Sequence, residues 1–149
     1  MYGDTRVIRG LARRMRDQAD DLRGEADRLV GEAEAVWWTG WAADAVRSRA
    51  RDRGAGLRRT AALHDDAASA LEQHADEVDR LKELISWLER RARSLVASAR
   101  DRLADLGGRL LAGVSGLVPD PLDQLLDRFV PPPSGDRDWL TVELPGLGS

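Results

Sequence analysis

Cysteine is missing from the chain, and its absence excludes disulfides, zinc-thiolate sites and cysteine nucleophiles. Histidine occurs only at His64 and His74, whereas a metal pair on one helix face needs a spacing of three or four residues. We interpret both histidines as helix-interface residues with local hydrogen bonds; the alternative is pH sensing tuned by neighbouring acids. No nucleophile triad, glycine-rich phosphate loop or apolar carboxylate pair is visible. The sequence therefore predicts no catalytic residue, no metal site and no cofactor, which indicates that the protein is not an enzyme.

Long apolar runs and a strong charge of one sign are also lacking. No stretch of 18 apolar residues occurs, so no membrane span is expected. Residues 1–6 contain no apolar core of a Sec signal peptide, so no such signal is expected. The net charge is only −3, which argues against a protein whose main role is to bind nucleic acid.

Helix-forming residues are abundant instead. Alanine, leucine, arginine, glutamate and lysine make up about half of the chain, a share typical of long helices or coiled coils. Apolar residues recur every three or four positions over residues 8–36. A second, mostly apolar stripe spans residues 46–106 and keeps this spacing unbroken over residues 57–99, and no proline occurs before Pro119. We therefore predict an all-α fold with a first helix over about residues 4–36 and a long second helix over about 41–106.

Three of the five tryptophans lie between these two predicted helices. Trp37, Trp38 and Trp41 surround Gly40, and glycine tolerates the left-handed or irregular backbone that a bend requires. The pattern predicts an antiparallel helical hairpin with these tryptophans at its tip. The indoles either lock the corner or form a docking surface, and the two roles are compatible.

The apolar stripes of the two helices also predict a register. Folding the chain about residues 39–40 places Leu22 opposite Leu57 as a buried pair. The same fold places Arg58 opposite Asp21, so opposite charges face each other. Agreement between the apolar pattern and the charge pattern favours the hairpin.

The second helix is longer than the first and extends beyond its start. Gly54 and Gly56 are expected to distort it locally. Its apolar stripe continues past the predicted hairpin, which predicts a partner interface at Val78, Leu81, Ile85, Leu88 and Leu95. Three alternatives would cover this stripe: the C-terminal tail, a partner hairpin or second copy, or a break near Ser86–Trp87 that folds the helix back on itself.

The composition changes at residue 107, which predicts two domains, residues 1–106 and 107–149. The second is a Gly/Pro-rich tail with a short amphipathic helix over about residues 121–130, capped by Asp120. Three consecutive prolines then favour an extended linker. Trp139–Leu144 is expected to be a strand or an extended docking peptide.

Trp38, Thr39 and Gly40, followed by residues 41–47 (Trp-Ala-Ala-Asp-Ala-Val-Arg), resemble the Trp-x-Gly (WXG) family of type VII (ESX) secretion substrates. The sequence is most similar to the helical-hairpin secretion-signal domain of actinobacterial secreted proteins, over about residues 1–95. The resemblance implies two antiparallel helices joined at the Trp-x-Gly turn, which pair with a second hairpin in a four-helix bundle. The Tyr-x-x-x-Asp/Glu motif that often follows the second helix in that family is missing, so a co-secreted partner would supply that signal.

By this resemblance the protein is a type VII secretion substrate, or a recognition or carrier module, that acts through helix–helix contacts. Trp38 and Gly40 carry the turn signature, and with Trp37 and Trp41 they form the predicted secretion-recognition site. The expected partner is another helical-hairpin protein or a second copy in a dimer, and the secretion ATPase is a further candidate. The expected location is outside the cell after type VII export, or the cytoplasm before it.

Two other functions remain open. The first is a cytoplasmic coiled-coil adaptor or chaperone that serves a secreted partner without being exported itself. The weaker one is nucleic-acid binding through the arginines of residues 47–59, which would contact phosphates. These arginines point to several faces of the helix, which disfavours a continuous phosphate-binding surface.

Overall fold

The computed structural model describes residues 3–148. Met1, Tyr2 and Ser149, which the two predicted domains include, lie outside the described residues. The elements are α1 (Thr5–Glu34), α2 (Trp41–Leu111), α3 (Pro121–Asp127) and a 3-10 helix (Arg137–Thr141). Over residues 3–148 there is no strand, and the prediction of an all-α chain with a long second helix and a short C-terminal helix is confirmed.

Two compact units make up the chain, residues 3–79 and residues 80–148. The division falls inside α2, so this one helix contributes residues to both units. The domain boundary predicted at residue 106 lies five residues before the end of α2.

The first unit is built on rows of alanine. In α1 every seventh residue is buried: Thr5, Ala12, Ala19, Ala26 and Ala33. In α2 the buried residues of this unit are again mostly alanine: Ala43, Ala50, Ala61, Ala68 and Ala75. Leu22 and Leu57, predicted as a buried pair, are only half-buried. That expectation was wrong, since small side chains at a helix contact let the two backbones approach more closely.

Gly54 belongs to the same buried surface. A Cβ atom at this position would lie 2.9 Å from Val30 Cγ2 and 3.5 Å from the Ala26 carbonyl oxygen, so any other residue would have to displace the Val30 side chain. α2 continues through Gly54 and Gly56, so no break occurs there. Close approach of α1 explains the glycine at position 54.

Ion pairs between α1 and α2 join residues in opposite chain order. From the start of α1 to its end, the pairs are Arg9–Asp76, Arg9–Asp79, Arg16–Glu72, Arg23–Asp65, Asp27–Arg58 and Glu34–Arg51. Asp27 and not Asp21 accepts from Arg58, with a distance of 2.6 Å between Asp27 Oδ1 and Arg58 Nη2. Arg58 therefore pairs six residues further along α1 than predicted. Leu29 with Ala50, and Ala33 with Val46, nevertheless line one groove, as the predicted register has them.

In the second unit the tail packs on α2. Trp139 is 2% exposed and clusters with Ile85, Ala92 and Leu147. The segment expected to be a strand or an extended peptide begins in a 3-10 helix, which ends at Thr141 and whose N-cap Asp136 accepts from the Asp138 N–H at 2.9 Å. Of the three predicted covers for this part of α2, the tail is the one observed, and no break occurs near Ser86–Trp87.

Candidate functional site

The linker between α1 and α2 exposes its aromatic side chains. Trp37 is 90% exposed, Trp41 is 85% exposed and Trp38 is 38% exposed. Gly40 has φ of 107°, and its carbonyl accepts the Asp44 N–H at 3.0 Å in the first turn of α2. We call Trp37, Trp38 and Trp41 the tryptophan tip. Two nearly bare indoles at one turn form an apolar surface of the kind that binds another molecule.

Arg47 of α2 forms hydrogen bonds with the backbone of the linker. Its Nη2 donates to the carbonyl oxygens of Val36 at 2.9 Å and Trp38 at 3.3 Å, and its Nη1 donates to Asp44 at 3.3 Å. The two carbonyls lie on either side of Trp37, so one guanidinium fixes the backbone that carries the most exposed indole. Sequence reasoning included Arg47 in the motif and in the basic run, but it missed this contact, which becomes apparent only when the linker runs beside α2.

The conformation of Gly40 leads to a stability prediction. Gly40→Val is expected to lower the free energy of unfolding by about 1–2 kcal/mol, because a β-branched residue is strained at positive φ. The control is Gly31→Ala, at a helical site where an added Cβ meets nothing within 4 Å, and it should be neutral or stabilising. Urea unfolding followed by circular dichroism measures both variants. Equal stability of Gly40→Val and the wild type would show that position 40 does not require a positive φ.

The sides of the first unit carry half-exposed apolar residues. One shallow groove is lined by Leu29, Ala33, Val46 and Ala50. Another is bordered by Leu22, Thr60 and His64, together with three polar residues of α1. His64 Nδ1 lies 2.9 Å from the Thr60 carbonyl oxygen, the local hydrogen bond expected for an interface histidine, whereas His74 is exposed.

The residues predicted as a partner interface are largely covered. Val78 and Ile85 are buried, and the other three, Leu81, Leu88 and Leu95, are half-buried. Ile85, Leu88 and Leu95 belong to the cluster around Trp139. Access to those three positions by another molecule therefore requires movement of the tail.

Glu89 is a buried polar contact between α2 and the tail. Its side chain is only 10% exposed; it accepts from the Ser134 hydroxyl at 3.0 Å and from the Gly135 N–H. The Gly135 bond, assisted by Ser134 and by the nearby positive charge of Arg93, holds the pKa of Glu89 below its usual 4.5. Sequence reasoning missed Glu89, since nothing in its spacing distinguishes it from the solvated acids of α2.

A second buried carboxylate fixes α3. Asp123 is 5% exposed and accepts from Arg102 Nε at 2.9 Å, and this hydrogen bond lowers the pKa of Asp123. Asp127, at the end of α3, accepts from Arg100 Nε at 2.8 Å. The two arginines lie two residues apart on α2 and hold both ends of the short helix.

These carboxylates predict acid release of the tail. Because the folded-state pKa values of Glu89 and Asp123 are lowered, their stabilisation is complete above the unfolded values and disappears as the pH falls through the folded ones. We expect amide protection over residues 137–147 to decrease below about pH 4. Hydrogen exchange against pH measures this decrease, and Glu89→Gln should flatten part of the profile. Protection that stays constant down to pH 2 would be the contrary result.

The arginines considered for nucleic-acid contact have acidic neighbours. Arg47, Arg51 and Arg58 form ion pairs with Asp44, Glu34 and Asp27, respectively. Half of the six arginines over residues 47–59 are therefore partly neutralised, which leaves less positive charge for phosphates.

No match to this chain is found among protein-family models, curated proteins or solved structures. Within the described residues, no group of three or more histidine, aspartate or glutamate side chains is arranged to hold a metal ion. Over the same residues no helix has the length and the apolar content needed to cross a bilayer.

Proposed function

We propose that this protein is a substrate or a recognition module of type VII secretion, and that residues 5–79 act as a WXG-type antiparallel hairpin. The observation that carries the proposal is the tryptophan tip, with two nearly bare indoles on a turn fixed by Gly40 and Arg47. Further support comes from the α1–α2 ion pairs, whose reversed order is the order expected of two antiparallel helices.

In this proposal the tip is the part recognised by the secretion machine. Trp37 and Trp41 have little contact area within their own chain, so their burial in a pocket of another protein would be a large gain in apolar contact. The half-exposed side of the first unit, at Leu22, Leu29 and Val46, would pack against a second helical hairpin, as the resemblance implies.

The test is export from a bacterial host with a type VII system. A tagged wild-type chain is expected in the culture supernatant, and inactivation of the secretion ATPase should abolish its appearance there. The double variant Trp37→Ala/Trp41→Ala should remain in the cell while keeping the wild-type unfolding midpoint. Trp87→Ala is the matched control, because Trp87 is 43% exposed on α2 and outside the tip.

The outcomes separate the proposal from its rivals. A wild-type chain that stays inside the cell but co-purifies with an exported protein would identify the coiled-coil adaptor or chaperone. DNA binding with a steep dependence on salt would favour the arginine-driven function. Normal export of the double variant would show that the tip is not the recognition site.

A further inference from the structure

The tail contacts α2 through anchors that are spread along the helix. Arg102 and Arg100 bind the carboxylates of α3, Glu89 binds the turn at Ser134–Gly135, and Arg91 Nε donates to the Gly146 carbonyl oxygen at 3.3 Å. All four α2 side chains bind groups of residues 121–148. The part of α2 from Ile85 to Arg102 therefore contacts a single segment of the chain, the tail, from one end to the other.

Between these polar contacts, Ile85 and Ala92 of α2 form an apolar surface, which we call the apolar seat. Trp139 packs on Ile85 and Ala92, and Phe129 meets the indole edge-on with 6.2 Å between the ring centroids. The indole N–H is satisfied inside the tail, where it donates to the Pro133 carbonyl oxygen at 3.0 Å. The aromatic surface that packs on α2 therefore needs no hydrogen-bond partner from α2, because the indole N–H is already bonded within the tail.

The connection between α2 and the tail contributes little to this fit. Residues 112–116 are all exposed, and Gly113 and Gly116 adopt positive φ. Three backbone hydrogen bonds close the end of α2, from Ala112 to Gly108, from Gly113 to Leu110 and from Val114 to Arg109. The tail is therefore held by its anchors and by the short distance over which the linker tethers it, and a tether of this kind corresponds to an effective concentration of the order of millimolar.

We propose that the face of α2 from Ile85 to Arg102 is a peptide-acceptor surface, that the chain's own tail is a displaceable strap on it, and that its ligand in trans is the tail of a second copy. The same segment from another molecule meets the same arginines, the same glutamate and the same apolar seat. The tether favours the chain's own tail, so exchange becomes measurable when that tail is weakened. The proposal does not depend on secretion.

The test uses the full-length protein and a fluorescent peptide of residues 121–148. Wild-type protein should bind the peptide weakly, because its own tail occupies the surface. Full-length Trp139→Ala, with a weakened strap and an intact acceptor, should bind it at least about tenfold more tightly in an anisotropy titration. A peptide that carries Trp139→Ala is the matched control and should lose this gain.

A charge exchange gives an independent readout if Trp139→Ala does not fold. Full-length Arg102→Asp should reject the wild-type peptide and accept a peptide that carries Asp123→Arg. Circular dichroism at 222 nm establishes that each variant keeps the wild-type helix content. Equal binding of the wild-type peptide to wild type and to folded Trp139→Ala, or no preference of Arg102→Asp for the Asp123→Arg peptide, would overturn the proposal.

Discussion

Replacement of Trp139 by alanine is expected to lower the free energy of unfolding of the second unit by about 3–5 kcal/mol. The indole is 2% exposed, and its loss leaves a cavity against Ile85 and Ala92 that neighbouring side chains fill only in part. The Phe129 ring also loses its edge-on contact. We expect the tail to open long before α2 unfolds.

Hydrogen exchange resolved by residue measures the opening of the tail directly. Amides of residues 137–147 should lose protection, while those of residues 12–33 should keep it, since they belong to the first unit. Trp37→Ala is the matched control: its indole is 90% exposed, so the change should stay within about 0.5 kcal/mol. Unchanged protection of the tail in Trp139→Ala would contradict the packing described for it.

Enlargement of Ala61 to leucine is expected to cost about 3 kcal/mol, at the upper end of the range for overpacked cores. Ala61 is fully buried in the first unit, and leucine adds three carbons where the structure leaves no exposed surface. The adjacent Ala62 is exposed on the same helix, so Ala62→Leu has the same change in composition without the overpacking.

The pair of variants isolates packing from helix propensity. Alanine and leucine differ little in helix propensity, so Ala62→Leu should stay within about 0.5 kcal/mol of the wild type. Urea unfolding of the two variants at one protein concentration gives the difference. If Ala61→Leu were as stable as Ala62→Leu, α1 and α2 would not be closely packed at this alanine.

Much of the fold followed from the sequence because its signals are local. The three-and-four spacing of apolar residues predicted α1 and α2 within a few residues, and Asp120 with Pro121 marked the start of α3. These signals act within one or two turns of helix. The position of the tryptophan tip was also predictable, since Gly40 and its neighbours interrupt both helical patterns.

The rest depends on contacts that residue types alone do not specify. Hydrophobicity ranks Leu22 above Ala19, yet the alanine is buried and the leucine is half-exposed, because close helix contact selects for small size. The partner of Arg58 was not predictable either, because a long arginine side chain can reach carboxylates on more than one turn of the facing helix. The burial of Trp139 against Ile85 and the contact of Glu89 with the tail both join residues that are more than forty positions apart in the chain.

The alanine rows also limit which mutations the gene can accumulate. A single base change in an alanine codon yields glycine, serine, threonine, valine, proline, aspartate or glutamate. Of these residues, only glycine and serine would add at most one heavy atom to the buried alanine side chain at Ala19 or Ala61. Glycine, in turn, weakens the helix by about 1 kcal/mol. In a saturation library we therefore expect Ala19 and Ala61 to tolerate fewer substitutions than Leu22 and Leu29, although alanine is the smaller and less hydrophobic residue.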